Sequence, residues 1–207
     1  KADYILCRTE SAASELIIEE YNWVAGAEFA DSAGADVINS SLGYTDFDDP
    51  NMDHTYADMD GNTTPITQGA DIAASKGILV VNSAGNSGQG GWFYLSAPAD
   101  GDSVLAVGAV DPDGLYAEFS SKGPSADGDI KPNVAAQGSL AVIVNVSLQA
   151  TESTQTANGT SFSSPIIAGM SACLWQANPA LTNMELMEVI QESASQFNNP
   201  DSLMGYG

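Results

Sequence analysis

Positive charge is scarce in this chain: five Lys and Arg stand against 27 Asp and Glu in 207 residues, a formal net charge of −22. So few cations cannot neutralise a row of phosphates, which excludes a nucleic-acid partner, and so acidic a chain is repelled by an anionic lipid surface. No apolar run approaches the length a bilayer-spanning helix needs, so no membrane insertion is expected. No secretory leader is read either, since Lys1 to Arg8 is short and runs into polar sequence. Histidine occurs once, as His54, and cysteine twice, as Cys7 and Cys173. Both cysteines lie in apolar segments and read as separate buried thiols, not a disulfide.

What is present is the material of a core. At 43% hydrophobic and 15% charged residues the chain is globular, and its length is that of one domain, residues 1–207. Short apolar runs of strand character occur at Tyr4–Cys7, Asp36–Ser40, Ile78–Asn82, Val104–Val110, Ala117–Ser121 and Leu140–Val146. Between them lie helical patterns. From Glu15 to Ala33 the positions Leu16, Ile17, Trp23, Val24, Ala27 and Ala30 face inward and Glu19, Glu20 and Asp31 face solvent, with Gly34 as the stop. A second helix opens at Thr64 and Pro65 and stops at Gly77; the last two cover Ile166–Trp175 and Thr182 to about Ser195. Strands alternating with helices predict an α/β domain with a parallel sheet covered on both faces. An acidic insertion occupies about residues 44–64; its Asp58, Asp60, Gly61 and Asn62 suggest calcium but lack the spacing and terminal Glu of an EF-hand loop.

The chemistry concentrates in the stretch NGTSFSSPIIAG, Asn158 to Gly169. Small hydroxyl residues leading into Pro165 and an apolar segment form a helix start, where Ser161 is either a cap or a nucleophile in the positive field of the helix N-terminus. After the Ile78–Asn82 strand comes a glycine-rich loop with Asn86, an amide able to donate to an oxygen that becomes negative during acyl transfer. By themselves such residues are more often a cap and a turn.

Taken together, Gly159, Thr160, Ser161, Ser163, Pro165, Ala168 and Gly169 resemble the serine signature of the subtilisin-like proteases (subtilases, peptidase S8-like). Further resemblance lies at Ser41-Leu42-Gly43, Ser83–Asn86, Ser103–Asp111 and Phe119–Pro124, while Asp129 and Asn133 depart from the family's usual residues. The resemblance implies a three-layer parallel-sheet fold and a hydrolase that cleaves polypeptide substrates through an acyl-enzyme on Ser161, with Asn86 and the Ser161 N–H as oxyanion donors. It implies Ser41, Leu42, Gly43, Ser83, Ala84, Gly85 and Thr160 as substrate-binding residues, no required cofactor or metal, and a secreted or bacterial cell-envelope location.

A serine nucleophile requires a base, and the base an orienting acid. His54 follows the Ser41–Gly43 strand, where the family's histidine precedes it, and is read as a residue of the insertion. The family's aspartate and histidine motifs are not found in the sequence, and the resemblance begins at Tyr4 to Arg8. The chain is therefore expected to be the C-terminal two-thirds of a subtilase catalytic domain, without the N-terminal strands and histidine helix, and inactive alone. The expected gap between Tyr4–Cys7 and Asp36–Ser40 would close by direct pairing, by strand exchange with a second copy, or by the missing N-terminal segment as a partner. The competing reading is a pseudoprotease, a non-catalytic peptide-binding module.

Overall fold

The structure is a computed structural model that describes residues 2–145 and 153–207. Its centre is a parallel sheet of four strands, β1 (Val37–Ser40), β2 (Leu79–Ser83), β3 (Val104–Val110) and β4 (Val134–Gln137), in the order β1-β2-β3-β4. Alternation along the inner strands sends side chains to two different cores. Val80, Val104 and Ala106 pack with Trp23, Ala27, Ile66 and Ala70 from α1 (Ile18–Ala33) and α2 (Pro65–Ser75). Leu79, Val81, Leu105 and Val107 pack with Ile167, Ala168, Leu186 and Ile190 from α3 (Thr160–Ala177) and α4 (Asn183–Glu192). The result is the three-layer α/β arrangement expected, with every side chain of β2 buried.

Local chemistry sets the helix limits. Thr64 accepts from the Thr67 N–H ahead of Pro65, and Thr182 and Glu185 form a reciprocal capping box at the start of α4. Gly34 closes α1 at φ 79°, a conformation glycine adopts without steric cost.

Several expectations need correction. Tyr4–Cys7 is not a strand: Tyr4 and Leu6 are 85% and 93% exposed, and the run pairs with nothing among the described residues. Strand character in a sequence is realised only where a neighbouring edge is available. Asp36–Ser40 is not a buried strand but the edge of the sheet, with only Ser40 buried. Cys7 and Cys173 are unpaired, as read, yet exposed.

Glu19 and Glu20 face inward and not toward solvent, whereas Leu16 is exposed. Their burial is compensated: Glu19 accepts from the N–H groups of Ser11 and Leu16, and Glu20 from Ile66 at the start of α2. Ala117–Ser121 is a turn, not a strand. Leu140–Val146 gives β5 (Ala141–Val144), which pairs antiparallel with β6 (Thr154–Ala157) instead of joining the parallel sheet; Val146 lies outside the described residues. β4 and β6 have no counterpart in the sequence reading.

Candidate active site

β1, β2 and α3 converge at their functional ends. Ser161 occupies the first turn of α3, which starts at Thr160, six residues before the expected Ile166, and places Pro165 inside the helix. Gly159 precedes it without a side-chain cap, so the expected capping role of the Ser and Thr hydroxyls is not realised. The cap comes from another loop. Asn86 Oδ1 accepts from the Thr160 N–H at 2.9 Å and from the Thr160 hydroxyl at 3.1 Å, and that hydroxyl accepts from the Gly85 N–H at 3.2 Å.

A backbone N–H only donates, so the amide atom facing it must be oxygen; this fixes the orientation of Asn86 and leaves Nδ2, with two donors, free of that ring. The loop is braced from behind by Phe119–Ser121. Ser121 donates its N–H to the Gly85 carbonyl at 2.9 Å, its hydroxyl accepts from Ser87 at 3.0 Å, and Phe119 accepts from the Gly88 N–H at 2.9 Å.

Pro165 has a second effect. In an uninterrupted α-helix the carbonyl of Ser161 would accept from the N–H four residues on, which proline lacks. That carbonyl accepts from the Ser41 hydroxyl at 3.1 Å instead, joining the nucleophile candidate to the end of β1. Ser164 makes a parallel link, donating to Asn39 Oδ1 at 2.8 Å.

Ser41, Leu42, Gly43, Ser83, Gly85, Asn86 and Ser161 line one cleft of about 180 Å³. Ala84 and Thr160 lie behind that wall, fully buried. Ala84 donates to the Val107 carbonyl, and Thr160 acts on the cleft through Asn86. Thr45, Ser87 and Ser96, which sequence reasoning did not single out, also line the cleft. Ser96 stands more than 50 residues from Gly43 along the chain, and no local pattern marks it.

His54 donates its backbone N–H to the carbonyl of the cleft residue Thr45 at 2.8 Å, but its ring is engaged on the other side. It is not among the cleft residues; its Nε2 meets Glu20 Oε1 at 2.5 Å, and its ring stands edge-on to Phe47. Burial depresses its pKa, but the hydrogen bond and charge of Glu20 outweigh this and leave it raised above 6.5. The pair pins the acidic insertion to α1. The loop carboxylates at Asp58 and Asp60 are engaged locally, Asp58 by Thr55 and Asp60 by Asn62 and Thr63.

Taken as chemistry, the site is a hydroxyl at a helix start beside an oriented amide, an arrangement suited to acyl transfer. The comparisons give the lineage. The sequence pattern of the Subtilase family matches residues 3–207, and the chain belongs to that family. It is 35% identical over 173 residues to subtilisin DY of Bacillus licheniformis, an alignment covering 83% of this chain and 54% of that protein. With M-protease of Shouchella clausii (strain KSM-K16) it shares 33% over 182 residues, 88% of this chain and 40% of that protein. The chain thus spans about half the length of these relatives. Among solved structures, MycP1 with its N-terminal propeptide removed superposes with a TM-score of 0.71 at 24% identity, over 97% of this chain and 66% of that one, a likeness of fold alone. Sphericase gives 0.67 at 25%, over 93% and 63%. No helix among the described residues is long and apolar enough to cross a membrane.

Proposed function

We propose that this chain carries the nucleophile half of a serine endopeptidase of the subtilisin class. The observation that supports this best is the orientation of Asn86. With its oxygen engaged by Thr160, its Nδ2 remains available at a cleft that Ser161 also lines. In the proposed reaction a polypeptide lies against Ser41–Gly43, and Ser161 Oγ attacks the scissile carbonyl carbon while its proton passes to a base. The resulting oxyanion accepts from the Ser161 N–H and Asn86 Nδ2. Expulsion of the amine, which takes up the proton, leaves an ester on Ser161 that water then hydrolyses.

The His54 ring is engaged by Glu20 and does not line this cleft, so on this reading the base comes from a further polypeptide segment, either the family's N-terminal portion or a strand-exchanged copy. Two features suit such a segment: the outer edge of β1 and an apolar groove of about 450 Å³ lined by Val142, Ile143, Phe162, Pro165 and Ile166, next to the nucleophile in sequence. Residues 1–207 alone are inactive on this reading, and the location is secreted or at a bacterial cell envelope. The absence of His54 from the cleft favours one second reading, a peptide-binding pseudoprotease.

Fluorophosphonate labelling and peptide cleavage separate the two. The longest natural form of the protein is expected to label and cleave, residues 1–207 alone are not, and Ser161→Ala abolishes both. For subtilisins themselves the corresponding loss of the serine is about 10⁶-fold in kcat. Labelling that survives Ser161→Ala overturns the nucleophile assignment, and a longest form that neither labels nor cleaves establishes the pseudoprotease.

A further inference from the structure

One side chain breaks the apolar run of β2. Leu79, Val80 and Val81 are buried and apolar, and Asn82, which follows them, is fully buried as well. Its Nδ2 donates to the Leu42 carbonyl at 3.1 Å and to the Ser83 carbonyl at 2.8 Å. Asn82 does not line the cleft, but both residues whose carbonyls it holds do. Two carbonyls facing one end of an amide require its NH2 group there, so the orientation is fixed and both hydrogens are used. The cost falls on the other end. Asn82 Oδ1 is buried and has no hydrogen-bond partner among the described residues. An apolar residue at this position would carry no such penalty, so packing alone does not account for the amide.

The amide ties two strands together at the point where they part. The register of β1 against β2 ends at the pair Ser40 and Asn82. Beyond it Ser41, Leu42 and Gly43 leave the ladder and depend on separate tethers. The Ser41 hydroxyl donates to the Ser161 carbonyl at 3.1 Å, the Leu42 carbonyl accepts from Asn82, and Tyr44 donates its N–H to the Ala97 carbonyl at 2.9 Å. The tether at Leu42 is the one that comes from β2. A peptide that adds to Ser41–Gly43 as a strand binds through main-chain hydrogen bonds, and these need the receiving backbone at a fixed place relative to the nucleophile. We infer that Asn82 is a positioning residue: acting through the Leu42 carbonyl, it holds the Ser41–Gly43 backbone where a substrate main chain pairs with it. The inference rests on the endopeptidase reading and adds to it the group that fixes the receiving segment.

The test uses the longest natural form of the protein as wild type, Asn82→Ala and Asn82→Ser, each first shown by its thermal transition to be folded. Two readouts are compared. One is KM and kcat for a peptide long enough to lie along Ser41–Gly43; the other is the rate at which a small fluorophosphonate, too short to reach that segment, labels Ser161. Asn82→Ala is expected to raise KM by about 10-fold while kcat and the labelling rate change by less than about 2-fold, the pattern of lost substrate binding with the chemistry intact. Asn82→Ser, which returns one donor, recovers part of the KM. A KM unmoved by Asn82→Ala, or peptide turnover and labelling that fall together, overturns the inference and leaves the endopeptidase standing. Wild type supplies a readout that needs no variant: the Asn82 side-chain NH2 resonances should shift when a non-cleavable peptide fills the cleft and stay in place when the fluorophosphonate alone is bound. Resonances that ignore the peptide overturn the inference equally. No Ser161-dependent cleavage of any peptide overturns both readings.

Discussion

The two edges of the sheet end in opposite ways. At β4 the segment Asp201–Gly207 folds back along the strand: Ala135 donates to the Gly207 carbonyl at 3.1 Å and Tyr206 donates to that of Asn133 at 2.8 Å. Tyr206 packs near Phe197 with ring centroids 5.5 Å apart. At β1 no segment among the described residues does the same, and Val37, Ile38 and Asn39 remain partly or fully exposed. The apolar run Tyr4–Cys7, on the far side of α1 in sequence, lies outside the sheet. A strand edge is stable when something satisfies its backbone groups, and the described residues do so on one side only.

Breaking the sealed edge should have the largest effect. Gly205 sits at φ 62°, and a Cβ there would overlap the carbonyls of Pro132 and Asn133. Gly205→Ala is therefore expected to lift the segment from β4 and cost about 3 kcal/mol or more, read as a lower urea midpoint. An unchanged midpoint would show that the seal carries no stability. The contrast is sharpened next by amide exchange. Those amides of Val37–Ser40 that point away from β2 should exchange more than about 100-fold faster than those of Val134–Gln137, whose outer edge is covered. Equal protection would mean that β1 is already paired in solution.

The smallest expected effect concerns the pin beside the open edge. The folded pKa of His54 lies above its ordinary 6.5, so the His54–Glu20 pair contributes fully below pH 6.5 and is lost as pH rises through the raised folded value. Limited proteolysis of residues 44–64 should accelerate as pH rises through that folded value in wild type and be flat with pH in His54→Gln. A rate that falls with rising pH would reverse the assignment.

The same contrast explains what was legible in the sequence. β3 is apolar throughout and β2 opens with an apolar run because both faces of the sheet are covered, so ILVVN and VLAVGAV announce themselves. β4, with the sequence VAAQ, is short and mixed, paired to β3 on one side and covered on the other by a segment some 70 residues later. TQTA in β6 has polar alternation with no apolar face to mark it. Glu19 and Glu20 misled because a charge on a helix usually marks the solvent side; here Ser11, Ile66 and His54 come from outside the helix to meet them.

The placement of Ser161 and Asn86 at one cleft was readable from their motifs, since each follows or begins an element whose pattern is strong. What could not be read was their wiring. That the cap of α3 is a side chain 74 residues away, and that Pro165 redirects the Ser161 carbonyl to Ser41, are properties of the assembled loops.

The Thr160–Asn86 pairing has a thermodynamic consequence. An amide gripped at its oxygen from two directions has surrendered most of its torsional freedom during folding, so little ordering entropy remains to be lost when an oxyanion forms. On the proposed reading the donor's readiness is independent of whatever delivers the base. On that reading the Asn86 side of the site needs no reordering to receive a further segment.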